Sequence, residues 1–104
     1  MARFDVYTNP DALERRSVPF FLDVQSDHLG ELDTRVVIPL YVADRFPIRV
    51  QRLNPVVDVA DKSVVLDTAS IGTIPMAELR RPVTNLGRYQ LDIQDALDTL
   101  FGAY

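Results

Sequence analysis

No cysteine occurs anywhere in the 104 residues, which excludes disulfides, thiolate nucleophiles and sulfur-ligated metals. That fits a cytoplasmic protein. His28 is the only histidine, so a zinc site of three or four Cys and His ligands lacks donors. There are only four glycines, and neither a phosphate-cradling loop nor a dinucleotide fingerprint is present. A calcium loop of alternating acids around a central glycine is missing too. Together these gaps point to a protein without a cofactor.

Positive charge is also short. Eleven Lys and Arg stand against fifteen Asp and Glu, a net charge of −4. Proteins that bind duplexes draw most of their affinity from cations facing phosphates, so direct DNA or RNA binding is not expected. The pairs Arg15-Arg16 and Arg80-Arg81 have acids nearby and read as solvated faces or partner contacts. No apolar run approaches the ~20 residues of a membrane span. The opening stretch, MARFDVYTNPDALERR, has no apolar core of a secretion signal.

Catalytic constellations are poor. Ser26, Asp27 and His28 are triad members by type, but neighbours on a strand point to opposite faces, so the triplet cannot converge on itself. A lone histidine on a turn is ordinarily a surface or hydrogen-bonded residue. With so many aspartates some carboxylate pair always exists, but no spacing singles one out. The residues favour binding over catalysis.

What is present reads as one domain over residues 1–104, 47% hydrophobic and 25% charged. A chain of this size buries roughly 60–70% of its unfolded surface, so the core is thin, and a second copy sharing the burial suits it. Alternation marks strands at Arg3–Thr8, with Phe4 and Val6 on one side, and at Phe20–Gln25, with Phe20, Leu22 and Val24 on one side. Arg35–Ala43 is a richer strand broken by Pro39, which marks an edge, a bulge or a bend between sheets. Val56–Ala60 and Ser63–Thr68 flank an Asp61-Lys62 turn, and Ile71–Met76 is a weaker strand. Arg45–Leu53 is either a wing strand or a loop. Short strands spaced by turns predict a small barrel or sandwich.

The period changes near the C-terminus. Leu86, Tyr89, Ile93, Leu97 and Leu100, with Ala96 and Phe101 alongside, build one helical face. Thr84 or Asn85 is the expected cap and Gly102 the stop. Asp92, Asp95 and Asp98 form an acidic ridge that reads as a solvated face. Asp98 sits in the last turn, where the helix dipole repels anions by roughly 0.3–1 kcal/mol, and no basic side chain follows it. A cation on a partner would relieve that repulsion.

The order of blocks resembles the CcdB toxin family. The opening Phe4-Asp5-Val6-Tyr7-Thr8 is similar to the family's F-x-V-Y strand, and Phe21-Leu22-Asp23-Val24-Gln25-Ser26-Asp27 to its F-V-D-V-Q-S-D string. Val37-Ile38-Pro39-Leu40, Leu53-Asn54-Pro55-Val56-Val57, Thr73-Ile74-Pro75 and Asp92-Ile93-Gln94-Asp95-Ala96-Leu97 follow in family order across nearly the whole chain. The resemblance implies a mainly β (α+β) fold: an SH3-like antiparallel barrel with a small three-stranded wing and one C-terminal helix. It further implies a homodimer that binds the DNA gyrase A subunit, traps its cleavage complex, and is neutralised by a CcdA-like antitoxin. The implied partner surface is the loop Ser26, His28 and Leu29, together with Asp95, Asp98, Phe101, Gly102, Ala103 and Tyr104 around the helix end.

At that end the chain departs from the family. Gly102 falls where the family carries its key tryptophan, Ala103 where it has glycine and Tyr104 where it has isoleucine. Asp98 replaces an asparagine and His28 an isoleucine. Losing a buried tryptophan anchor typically costs ~2–4 kcal/mol of binding. Either Tyr104 and Asp98 compensate, by a swung ring and by pairing with a partner arginine, or the tip has drifted and binds only the antitoxin or another partner. An endoribonuclease of the related MazF/Kid kind is disfavoured by the negative charge and the missing R-G-D-I/V-like opening.

Overall fold

The computed structural model describes residues 1–103. Seven strands precede one helix: β1 (Asp5–Thr8), β2 (Phe20–Asp23), β3 (Thr34–Val42), β4 (Val56–Val59), β5 (Lys62–Leu66), β6 (Gly72–Pro75), β7 (Thr84–Asn85) and α1 (Gln90–Phe101). The sheet runs β4-β5-β3-β2-β1-β7, with β6 added to β3, and every pairing is antiparallel.

The long strand β3 organises this topology. One flank pairs along β2, from Phe20↔Leu40 to Asp23↔Val37. The other flank changes partner midway, from β6 at Thr34–Val37 to β5 at Leu40–Val42. Pro39 lies at the change. Its carbonyl accepts the Asp67 N–H at 2.9 Å, so its ring nitrogen faces the same flank, where neither strand needs a donor. The proline therefore marks a bend between two partner strands in the middle of the sheet, not an edge. On the far side of the bend, β6, the first part of β3 and β2 lie side by side.

The two outer strands do not pair with each other; side chains span the gap. Asp58 on β4 donates its N–H to the Tyr89 hydroxyl at 3.3 Å, and Arg88 donates to the Asp58 carbonyl at 3.2 Å. The barrel is thus nearly closed, and a strand edge that would otherwise be open is covered.

The alternation expected of β1 and β2 is what fills the core. Phe4, Val6, Phe20, Leu22, Val24, Ile38 and Leu40 meet Val57, Val59, Val64 and Leu66, and Leu86, Ile93 and Leu97 cap them from the helix side. The opposite faces are covered as well: Tyr7 and Val37 pack with Leu79, Phe21 and Ile74.

Several boundaries differ from expectation. Strand β1 starts at Asp5 rather than Arg3 because Phe4 adopts φ +74°, a left-handed conformation that cannot continue a ladder. The 45–53 segment contains no strand beyond its first 3-10 residue and is a loop. The helix begins at Gln90, later than its apolar period suggested. Thr84 and Asn85 are held in β7 by pairing with Val6 and Asp5. Asn85 Oδ1 accepts the Gly87 N–H at 2.8 Å, a local turn that leads into a short 3-10 turn at Gly87–Tyr89 and leaves the helix start uncapped by either residue. Phe101 does not join the packed face: at about 100° per residue it stands about 80° round from Ile93, and it is 71% exposed.

The β4–β5 turn is centred on Ala60-Asp61, one residue earlier than Asp61-Lys62. Val59↔Lys62 closes it, and φ is +48° at Ala60 and +65° at Asp61. Positive φ at both central residues defines a type I′ turn, which favours Asn-Gly. Because an alanine in this region is strained by roughly 1–2 kcal/mol, Ala60→Asn with Asp61→Gly is expected to stabilise the protein by about that amount. An unchanged denaturation midpoint would contradict the strain.

Candidate functional site

The loop after β2 is built by a buried polar network. Asp23 and Arg35 are both fully buried and form an ion pair with Nε to Oδ2 at 2.8 Å. Asp23 Oδ1 accepts the Gln25 N–H at 3.0 Å, and Arg35 Nη2 donates to the Gln25 carbonyl at 3.4 Å. The Gln25 side chain then works in both directions: Oε1 accepts the Val36 N–H at 2.9 Å, and Nε2 donates to the Leu29 carbonyl at 3.3 Å. Buried polar atoms are tolerable only when satisfied in this way. The network ties the loop to β3 at one end.

Ser26 and Asp27 fix the other end. Ser26 Oγ accepts the His28 N–H at 3.2 Å, and Asp27 Oδ1 accepts the Arg3 N–H at 2.6 Å. Ser26, His28 and Leu29 are all exposed, and Leu29 presents an apolar side chain to solvent.

Tyr7 borders this network. Its pKa is raised from 10.0 to about 12, first by burial, then by the negative charges of Asp5 and Asp23 and by its hydrogen bond to Asp5. Both burial and these neighbours favour the neutral phenol, so the folded state holds the proton more tightly than the unfolded chain. The stabilisation is complete below pH 10 and is lost as pH rises toward 12. Tyr7→Phe should remove that alkaline loss from a plot of unfolding free energy against pH. A loss persisting in the variant would assign it elsewhere.

At the opposite end of the chain, α1 finishes in a glycine cap. Gly102 has φ +75°, and its N–H and that of Ala103 both reach the Asp98 carbonyl. This is the left-handed helix stop for which glycine is best suited. A side-chain Cβ at Gly102 would meet nothing within 4 Å, so any penalty for a larger residue there is conformational rather than steric. Phe101, just before the cap, is 71% exposed and is the exposed aromatic ring among the described residues of this end. Gly102 and Ala103 are exposed beside it; Tyr104 lies outside the described residues.

The acidic ridge is not uniformly solvated. Asp92 is exposed in the first turn, where an anion suits the helix dipole. Asp95 is half-buried and forms a two-pronged pair with Arg52, at 2.7 and 3.2 Å. Asp98 is half-buried too, and Gln94 Nε2 donates to its Oδ1 at 3.1 Å. The Ser26 loop and the helix end are therefore held separately. The loop is tied to Arg3, Gln25 and β3, the helix end to its own last turns and Arg52, and none of these bonds joins the two.

Sequence reading missed the Asp23–Arg35 pair and the Arg52–Asp95 pair. Asp23 and Arg35 lie on polar positions of alternating strands, which ordinarily face solvent, and only the cover from Leu79, Ile74 and Phe21 buries that face. Arg52 lies 43 residues from its partner, beyond any local pattern. Among the described residues no group of three or more His, Asp or Glu could hold a metal ion. No helix there is long and apolar enough to cross a membrane.

Compared with known protein families, residues 3–102 match the CcdB protein family. That match takes in the opening strand, the Asp23–Asp27 string that anchors the exposed loop, and the whole of α1 up to its glycine cap. The chain belongs to the CcdB protein family.

Proposed function

We propose that the chain is the toxin of a toxin–antitoxin pair, a cytoplasmic homodimer that binds the A subunit of DNA gyrase and traps its DNA-cleavage complex. A CcdA-like antitoxin neutralises it. Family membership supports a toxin acting on gyrase rather than an enzyme. The observation that carries the reading is Phe101, an aromatic ring 71% exposed at the end of the family's C-terminal helix. Exposed aromatic groups flanked by polar side chains are the usual anchors of protein interfaces. Asp98 beside it suits an arginine on the partner, and Ser26, His28 and Leu29 supply a second contact loop on each subunit.

A second reading keeps the scaffold and drops gyrase. The left-handed Gly102, with no side chain where the family has its tryptophan, favours it. Titrating the purified protein against the isolated gyrase A subunit by calorimetry separates the two. Saturable binding, with growth arrest on expression that the antitoxin reverses, supports poisoning. Capture of the antitoxin without any heat of gyrase binding establishes the second reading instead.

A further inference from the structure

The last turn of α1 outruns its own packing. Ile93, Ala96 and Leu97 are the buried residues of the helix, and from Asp98 to Ala103 every residue is half-buried or exposed. The packed face therefore stops about one turn before Phe101. Charge works against this end as well. The helix carries Asp92, Asp95 and Asp98 and no Lys or Arg of its own. Acids spaced by three repel one another, and the carbonyl end of a helix repels them again. Arg52 supplies a cation from 43 residues away, with Nη2 to Asp95 Oδ1 at 2.7 Å and Nε to Oδ2 at 3.2 Å.

Arg52 is itself mounted on a firm base. Buried Asn54 accepts the Val50 N–H at 3.0 Å and donates its own N–H to the Val50 carbonyl at 2.8 Å. Its Nδ2 donates to the Leu66 carbonyl at 2.9 Å, and buried Thr68 donates Oγ1 to the Leu53 carbonyl at 2.6 Å. The chain on either side of Arg52 is thus tied to the end of β5. Asp95, in turn, is gripped twice: Arg52 holds its carboxylate, and its carbonyl accepts the Thr99 hydroxyl at 2.8 Å. A planar guanidinium meeting a carboxylate through two bonds fixes direction as well as distance. The two side chains are 54% and 35% exposed, so solvent screens the pair and it adds little to global stability. What it governs is where the end of α1 stands.

We propose that Arg52 is a positioning residue for partner binding: through Asp95 it holds the last turns of α1 so that Phe101 and Asp98 meet the partner in one pose. This rests on the helix end being the surface that contacts the gyrase A subunit. Asp95 and Asp98 then play different parts. The Asp95 carboxylate is engaged within the chain by both prongs of Arg52, whereas Asp98 receives a single neutral donor, from Gln94, and keeps acceptor capacity for a partner cation. An end held in one pose loses less entropy on binding than one that frays. On the proposed two-fold dimer that gain is made at both tips.

The test compares the parent with Arg52→Ala, Asp95→Asn, both together, and the charge swap Arg52→Asp with Asp95→Arg. Calorimetry gives affinity for the gyrase A subunit, and hydrogen exchange gives the protection of amides 99–102. Arg52→Ala should lower affinity roughly three- to tenfold and quicken exchange at the tip, with thermal unfolding nearly unchanged. In the Asp95→Asn background Arg52→Ala should add nothing, and the charge swap should recover most of both losses. A full further loss in that background makes Arg52 a direct contact and overturns the assignment. So does an affinity equal to the parent's, or tip exchange in Arg52→Ala as slow as in the parent. If the parent itself gives no heat with gyrase A, the reading of the target fails, and the hold of Arg52 on the helix end then stands or falls on tip exchange and its recovery in the charge swap.

Discussion

Phe101→Ala is expected to lower affinity for the gyrase A subunit by roughly 30- to 1,000-fold, the effect of truncating an interface anchor by ~2–4 kcal/mol. Stability should hardly change. The ring is 71% exposed, so its removal opens no cavity, and the Asp98 carbonyl keeps its bonds from Gly102 and Ala103. Calorimetric titration of both proteins against gyrase A, with thermal unfolding alongside, measures the two quantities independently. Affinity within threefold of the parent would remove Phe101 as the anchor.

Gly102→Trp makes a useful comparison at the same tip. The substitution puts an aromatic anchor beside Phe101, but it abandons a left-handed cap at φ +75°, a strain of roughly 1–2 kcal/mol for a residue bearing a Cβ. Space itself is open. Lower stability with tighter gyrase binding is therefore the combination expected if the rest of the surface is competent.

The second large effect is on folding. Asp23→Asn or Arg35→Ala alone should destabilise the protein by about 3–5 kcal/mol, because each leaves the other charge buried without its partner. The pair has no solvent to fall back on, with Asp23 at 0% and Arg35 at 1% exposure. Damage should also spread into the Ser26 loop, since Asp23 and Arg35 position Gln25, and Gln25 holds the Leu29 carbonyl. Denaturant unfolding gives the first quantity, and hydrogen exchange over residues 25–30 gives the second. Replacing both at once with apolar residues of similar volume should recover much of the stability while leaving the loop mobile, since ion pairs of this kind contribute more to arrangement than to net stability. If the single and double variants lose equal stability, the two charges are not coupled as their geometry requires.

Legibility from sequence followed the range of the interactions. Strands β1 and β2 and the helix were evident because a period of two or of 3.6 is a property of adjacent residues. So was the stop at Gly102, where only glycine enters the left-handed region without strain. Boundaries that depend on a distant strand were not evident: Thr84-Asn85 became β7 because Asp5 and Val6 needed a partner, and the helix began after it. The turn at Ala60-Asp61 was displaced by one residue because the Val59↔Lys62 register fixes it.

The same division holds for the candidate site. The chain by itself determined short strands of a thin-cored barrel or sandwich and a helix ending in glycine, since both follow from residue type and local order. Only the tertiary structure decided that Asp23 and Arg35 are buried together, that Asp95 meets Arg52, and that Phe101 turns outward. Those outcomes depend on which face a remote segment covers, and a linear pattern holds no record of that.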